Sequence, residues 1–154
     1  MSNLLLLNGA NLNLLGQRET GIYGRDNLSD VENLVRIRAK EHGHNAVCFQ
    51  SNSESELVEA VQNAPSQEIS MVIINPGGYT HTSVALRDAF LAVSLPFIEV
   101  HISNIFSRES FRHKSYLSDI AIGVISGLGI LGYRLAIIAA HQWLTEKHDT
   151  SSVD

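Results

Sequence analysis

A single cysteine, Cys48, stands in the 154 residues, so no internal disulfide can form and no paired thiol is at hand for a zinc site. The histidine and glutamate spacing of zinc hydrolases is missing as well, and His42 and His44 merely flank a glycine at an expected helix end. Basic charge is scarce: 11 Lys and Arg face 16 Asp and Glu, for a net charge of −5 and a pI near 5.8. A general nucleic-acid or anionic-membrane binder needs a basic field, so neither partner is expected. No glycine-lysine phosphate loop occurs. The three lysines, Lys40, Lys114 and Lys147, fall on expected helix or loop surfaces, whereas Schiff-base chemistry needs a buried one. The chain opens into an apolar strand rather than a basic, signal-like segment, which makes the cytoplasm its expected address. Repeats, low-complexity tracts and linkers are absent, so one domain is expected over 1–148, with 149–154 as a disordered tail.

Alternation runs from end to end of the chain. Strand-like apolar runs near 3–8, 45–50, 69–75, 96–101 and 120–126 alternate with helical patterns near 29–42, 54–63, 83–94 and 128–147. Ser29 with Glu32 and Ser53 with Glu56 read as capping boxes, Asn27-Leu28-Ser29 as no more than a helix start, and Gly43 as a helix end. Such alternation implies an α/β fold with a parallel sheet covered on both faces, because right-handed crossovers return each helix over the sheet. Five strands in this length suit a flavodoxin-like three-layer sandwich of strand order 2-1-3-4-5. Strands 1, 3 and 4 then lie side by side, and their carboxyl ends share one cleft at Asn8 to Asn11, Asn75 and His101.

Three polar segments meet at that expected cleft. Asn8 to Gly24 puts asparagines, Arg18 and Tyr23 on a Gly-punctuated loop after the first strand. Asn75-Pro76-Gly77-Gly78-Tyr79-Thr80-His81-Thr82-Ser83 follows the third strand, with Thr82 or Ser83 as a helix cap. Glu99-Val100-His101-Ile102-Ser103-Asn104 ends the fourth, and Arg108, Arg112, His113 and Lys114 add a cationic stretch suited to an anionic ligand. Gly127-Leu128-Gly129-Ile130-Leu131-Gly132 matches dinucleotide-binding spacing, but no strand with an acidic residue follows it, so those glycines read as helix packing. A phospho-receiver domain would need aspartates where this chain has asparagines after strands 1 and 3. Acid-base chemistry by tyrosine, histidine and arginine remains, beside the alternative of a module that binds a flavin or nucleotide without turnover. A free tyrosine titrates near ~10. An arginine at about 4 Å, with an effective dielectric near 20, favours its phenolate by up to ~4 kcal/mol before desolvation opposes it.

These separated motifs, in this order over nearly the whole chain, resemble the type II 3-dehydroquinate dehydratases. The resemblance implies anti elimination of water from 3-dehydroquinate to give 3-dehydroshikimate in the shikimate route to aromatic amino acids, with no cofactor and no metal. It makes Tyr23 the base, with Arg18 lowering its pKa, and gives Asn11 a water that stabilises the enolate. His101, positioned by Glu99, becomes the general acid. Substrate contacts fall to Asn75, His81, Ile102, Ser103 and Arg112, the substrate carboxylate sitting at Ile102 and Ser103. Asp88, which by itself reads as a solvated partner of Arg87, matches a residue that reaches a neighbouring subunit's site in a homododecamer built from trimers. The chain departs from the family at Thr20, where the lid usually carries proline, which implies a looser lid.

Overall fold

The computed structural model describes residues 1–17 and 19–150, apart from the side chains of Thr20, Tyr23 and 147–150. Five parallel strands, β1 (Asn3–Asn8), β2 (Asn45–Gln50), β3 (Ile69–Asn75), β4 (Phe97–His101) and β5 (Gly123–Ser126), form one sheet in the order β2-β1-β3-β4-β5. The helices are α1 (Thr20–Tyr23), α2 (Leu28–Glu41), α3 (Glu54–Asn63), α4 (Val84–Val93) and α5 (Leu131–Thr150). Among them none is long and apolar enough to cross a membrane.

Strand side chains alternate between faces, which sorts the core into two layers. Leu4 and Leu6 of β1 pack with Met71 and Ile73 of β3 against α2 and α5, while Leu5 and Leu7 pack with Val72 and Ile74 against α3 and α4. Helical spacing supplies the facing surfaces: Val31, Val35 and Ala39 on α2, Leu57 and Val61 on α3. A strand covered on both faces is apolar throughout, and each leucine so buried stabilises the fold by about 1.5–3 kcal/mol before chain entropy is counted.

Two helix starts differ from the expected boxes. Asn27 caps α2 instead of Ser29: its side chain accepts from the Asp30 amide at 2.9 Å and Asp30 accepts from the Asn27 amide at 3.0 Å. The cap needs extended backbone, which Asn27 has at φ −96 and ψ 176, whereas Ser29 is already helical; Glu32 pairs with Arg36 at 3.2 Å. Ser53 does cap α3 by accepting from the Glu56 amide at 3.4 Å, but the Glu56 carboxylate takes the Ser51 hydroxyl rather than closing the box. Ser83 caps α4, accepting from the Leu86 amide at 2.9 Å.

The carboxyl-terminal part is shifted from expectation as well. Here α5 starts at Leu131 rather than near 128, because the Gly127 and Gly129 amides donate to the His101 and Ile102 carbonyls at 3.2 and 3.0 Å and hold a turn. A Cβ on Gly132 would stand 3.3 Å from Ile125 and Val100, so that glycine lets α5 sit close on the sheet, as expected of it. The helix continues to Thr150, and the rest of the expected tail lies outside the described residues.

Candidate active site

Register assembles the site. Asn8 pairs with both Gln50 and Asn75, and His101 pairs with Ser126, so the strands end together on one side of the sheet. A cleft of ≈ 190 Å³ opens there, lined by Asn11, Asn75, His81, His101, Ile102, Ser103 and Arg112, together with Leu12, Leu15, Ile105 and Arg108. This is where ligands bind in open α/β sheets.

The β1 and β3 loops are pressed against each other. A Cβ on Gly9 would stand 2.2 Å from the Pro76 carbonyl oxygen, and one on Gly77, at φ +61, would stand 2.7 Å from the Ala10 carbonyl oxygen. Only glycine permits that approach. Asn11 adopts left-handed backbone at φ 70, and its amide donates to Asn52 Oδ1 at 2.9 Å. Gln50 Nε2 donates to the Gly9 carbonyl at 3.2 Å, and the Tyr79 hydroxyl donates to the Asn52 carbonyl at 2.6 Å. Sequence reasoning missed Gln50 and Asn52. Their signal was available: strand order 2-1-3 puts polar residues at the end of β2 beside the Asn11 loop.

Glu99 and His101, two residues apart on β4, face the same side of the sheet. His101 Nε2 lies 2.5 Å from Glu99 Oε2, and both side chains are buried. The Ser115 hydroxyl donates to Glu99 at 3.0 Å and the Ser118 hydroxyl at 3.0 and 3.1 Å, so both carboxylate oxygens accept. With an ionised carboxylate Nε2 is the donor of that contact, and Nδ1 is the ring nitrogen not engaged by Glu99. Such satisfied hydrogen bonds offset the cost of burying the charge. Ser118 lies 19 residues from Glu99 in the chain, and nothing in the sequence points to it.

The remaining polar groups hold definite roles. His81 Nδ1–H donates to the Lys114 carbonyl at 2.7 Å, leaving Nε2 as an acceptor. Burial, with His101 and Arg112 nearby, lowers the His81 pKa and favours the neutral ring. Arg112 Nε donates to Glu109 at 2.6 Å, and Arg108 donates to Ser103 Oγ at 3.2 Å. Asn75 Nδ2 donates to the Tyr133 oxygen at 2.9 Å, and Asn75 Oδ1 accepts from the Gly77 amide at 3.1 Å.

Not every expected residue joins this group. Arg18 lies outside the described residues, as does the Tyr23 side chain. The backbone around α1 places Gly21, Ile22 and Gly24 along a second hollow that shares Ile102, Ser103 and Arg108 with the cleft. Asp88 is exposed on α4 and does not line the cleft. Arg87 pairs with Asp119, at 2.5 and 3.0 Å, and not with Asp88: the adjacent residue leaves a helix in a different direction, whereas Asp119 comes to meet the fork. Lys114 is exposed beside the Tyr116 ring, and Lys40 is exposed on α2. The Cys48 thiol, pushed up to about 11 by burial, is a poor nucleophile.

Comparison with known proteins agrees along nearly the full length. A model of the class II dehydroquinase family matches residues 2–141. A 3-dehydroquinate dehydratase of Thioalkalivibrio sulfidiphilus is 58% identical over 148 residues, covering 96% of this chain and 100% of that one. The crystal structure of a type II dehydroquinase from Butyrivibrio crossotus superposes with a TM-score of 0.87 at 42% identity, over 90% of this chain and 96% of that one. That of the type II dehydroquinase from Propionibacterium acnes gives 0.87 at 37% identity, over 92% and 97%. With sheet order, cleft and motifs all in agreement, this chain belongs to the type II dehydroquinase family.

Proposed function

We propose that this chain removes water from 3-dehydroquinate by anti elimination to give 3-dehydroshikimate, as a cytoplasmic step of the shikimate route to aromatic amino acids. The observation that carries this reading is the Glu99-held imidazole of His101 in one cleft with Arg108, Arg112 and the Asn11 and Asn75 loops. A proton donor, a cationic grip and hydrogen-bonding groups are what an anionic polyol needs in order to lose a hydroxyl. The full-length similarity to proteins named 3-dehydroquinate dehydratase supports the same substrate.

In this reading Tyr23, as phenolate favoured by Arg18, takes a proton from the carbon beside the ketone, and the electron pair moves to the ketone oxygen as an enolate. A water held by Asn11 stabilises that oxygen. The enolate then collapses, the carbon–oxygen bond breaks, and His101 delivers its Nδ1 proton to the departing hydroxyl, which leaves as water. Glu99 supports the imidazolium that this requires and fixes the ring's orientation. The substrate carboxylate sits at Ile102 and Ser103, while His81, Asn75 and Arg112 hold the ring oxygens. The reaction is redox-neutral and draws on no electron carrier.

The protein works, in this proposal, as a homo-oligomer of trimers assembled into a dodecamer. Asp88 is exposed and away from its own cleft, with apolar Val84 and Leu91 exposed on the same helix, which suits a surface met by a neighbouring subunit. The decisive assay adds 3-dehydroquinate to the purified protein and follows the enone absorbance of the product. A rise without added cofactor is expected. Folded protein that leaves the substrate unchanged sinks the proposal.

A further inference from the structure

We infer that Tyr133, on α5, is a positioning residue of the site: together with the Gly77 amide it holds the orientation of the Asn75 amide, so that Asn75 meets the substrate as a hydrogen-bond donor. The inference rests on the proposed function for the identity of that substrate. It begins in the register, since Asn8 and Asn75 are paired neighbours on β1 and β3. Both follow the alternation of Leu6 and Ile73 and so turn toward the layer that holds Tyr133. The fully buried Tyr133 phenol stands between the two amides, donating to Asn8 Oδ1 at 2.8 Å and accepting from Asn75 Nδ2 at 2.9 Å.

The direction of this relay follows from one unambiguous group. Nitrogen and oxygen of an asparagine amide are alike in shape, and their assignment comes from the hydrogen-bond network. The Gly77 amide can only donate, so the Asn75 atom 3.1 Å from it is the oxygen. The NH₂ group therefore faces Tyr133, whose oxygen accepts, and the single phenol proton goes to Asn8. Burial raises the Tyr133 pKa well above its ordinary value, so the phenol stays a neutral donor. Asn75 Nδ2 carries two protons; Tyr133 takes one, and the second is available in a residue that lines the cleft. An inverted amide would present an acceptor in place of that donor, and a substrate oxygen that accepts from Asn75 would lose its partner.

Tyr133→Phe, Asn75→Ala and the double variant test this by steady-state turnover of 3-dehydroquinate, thermal unfolding and the nitrogen-labelled side-chain amide resonances of Asn75. Tyr133→Phe is expected to raise KM roughly tenfold, the worth of about one oriented hydrogen bond, with a smaller fall in kcat and an unchanged pH profile. The double variant should be no worse than Asn75→Ala alone, because Tyr133 acts through Asn75. Losses that add overturn the inference, as does a Tyr133→Phe variant with wild-type KM, whatever its melting temperature. If Tyr133→Phe does not fold, Asn8→Ala removes only the acceptor of the phenol proton; it should raise KM in the same way, and a wild-type KM there overturns the inference. Wild-type protein that does not turn over 3-dehydroquinate defeats the proposed function instead. The role of Tyr133 is then decided by the Asn75 amide protons, which should shift in Tyr133→Phe and overturn the inference if they stay in place.

Discussion

At the scale of single residues, the proposed mechanism divides two proton transfers between groups held in different ways. His101 is locked by a buried carboxylate, whereas Tyr23 ends the short helix α1 that precedes α2. Tyr23→Phe removes only an ionisable oxygen, so kcat is expected to fall by about 10²–10⁴-fold with binding retained. Near-normal turnover rules Tyr23 out as the base. His101→Ala should leave exchange of the substrate's alpha proton into solvent while product formation collapses; an equal fall in both assigns His101 to substrate positioning. An imine route needs a lysine at the cleft, and neither Lys40 nor Lys114 lines it. Borohydride added with substrate should therefore leave activity intact, and a mass increment on the Lys114 peptide would overturn the phenolate route.

Between elements, two junctions depend on close fit. The first is the approach of the β1 and β3 loops, where Gly9→Ala pushes a methyl into the Pro76 carbonyl. Overpacking of this kind costs about 1–3 kcal/mol, so a lowered melting temperature and a raised KM are both expected, and wild-type values for both would show that the loops part without consequence. The second junction ties α5 to the α2–β2 turn through histidines. The Ser2 amide donates to His44 Nδ1 at 3.2 Å, so His44 Nε2–H donates to His141 Nδ1 at 2.9 Å, and the His42 ring stacks on His141. Burial, then His141, the chain's amino terminus and His42, lower the His44 pKa. The unfolded chain thus takes up a proton that the folded one excludes. Stability is full above the ordinary histidine value near ~6.5 and is lost as pH falls through the lower folded value. His81 is shifted the same way and adds to the slope. Denaturant midpoints should drop between about pH 7.5 and 5.5, and His44→Asn should flatten that drop; an unchanged slope removes His44 as its source.

For the whole molecule, the exposed Asp88 is the group whose proposed role depends on assembly. Light scattering is expected to find a large homo-oligomer, and a stable, fully active monomer defeats that expectation. Within the oligomer, Asp88→Ala should reduce turnover severalfold with the single-chain fold intact, since Asp88 makes no part of its own cleft. Full activity in assembled Asp88→Ala protein would confine Asp88 to its own helix.

Periodicity was enough to place the five strands and the helices between them, because a face repeats every two residues in a strand and about every 3.6 in a helix; the order 2-1-3-4-5 came from the fold class that suits such an alternation, and the cleft from that order. The glycine-rich stretch before α5 was likewise separable from a dinucleotide site by what fails to follow it. Tertiary structure alone decided the partners. Asn27 displaced Ser29 as the cap, Arg87 found Asp119, and Glu99 gathered Ser115 and Ser118. The Tyr133 hydroxyl meets Asn75 and Asn8 across 58 and 125 residues of chain. A hydrophobic face is a local average over many side chains and survives in the sequence, whereas a hydrogen bond depends on two atoms within 3.5 Å, and that distance is settled by sheet register and helix placement after the core has formed.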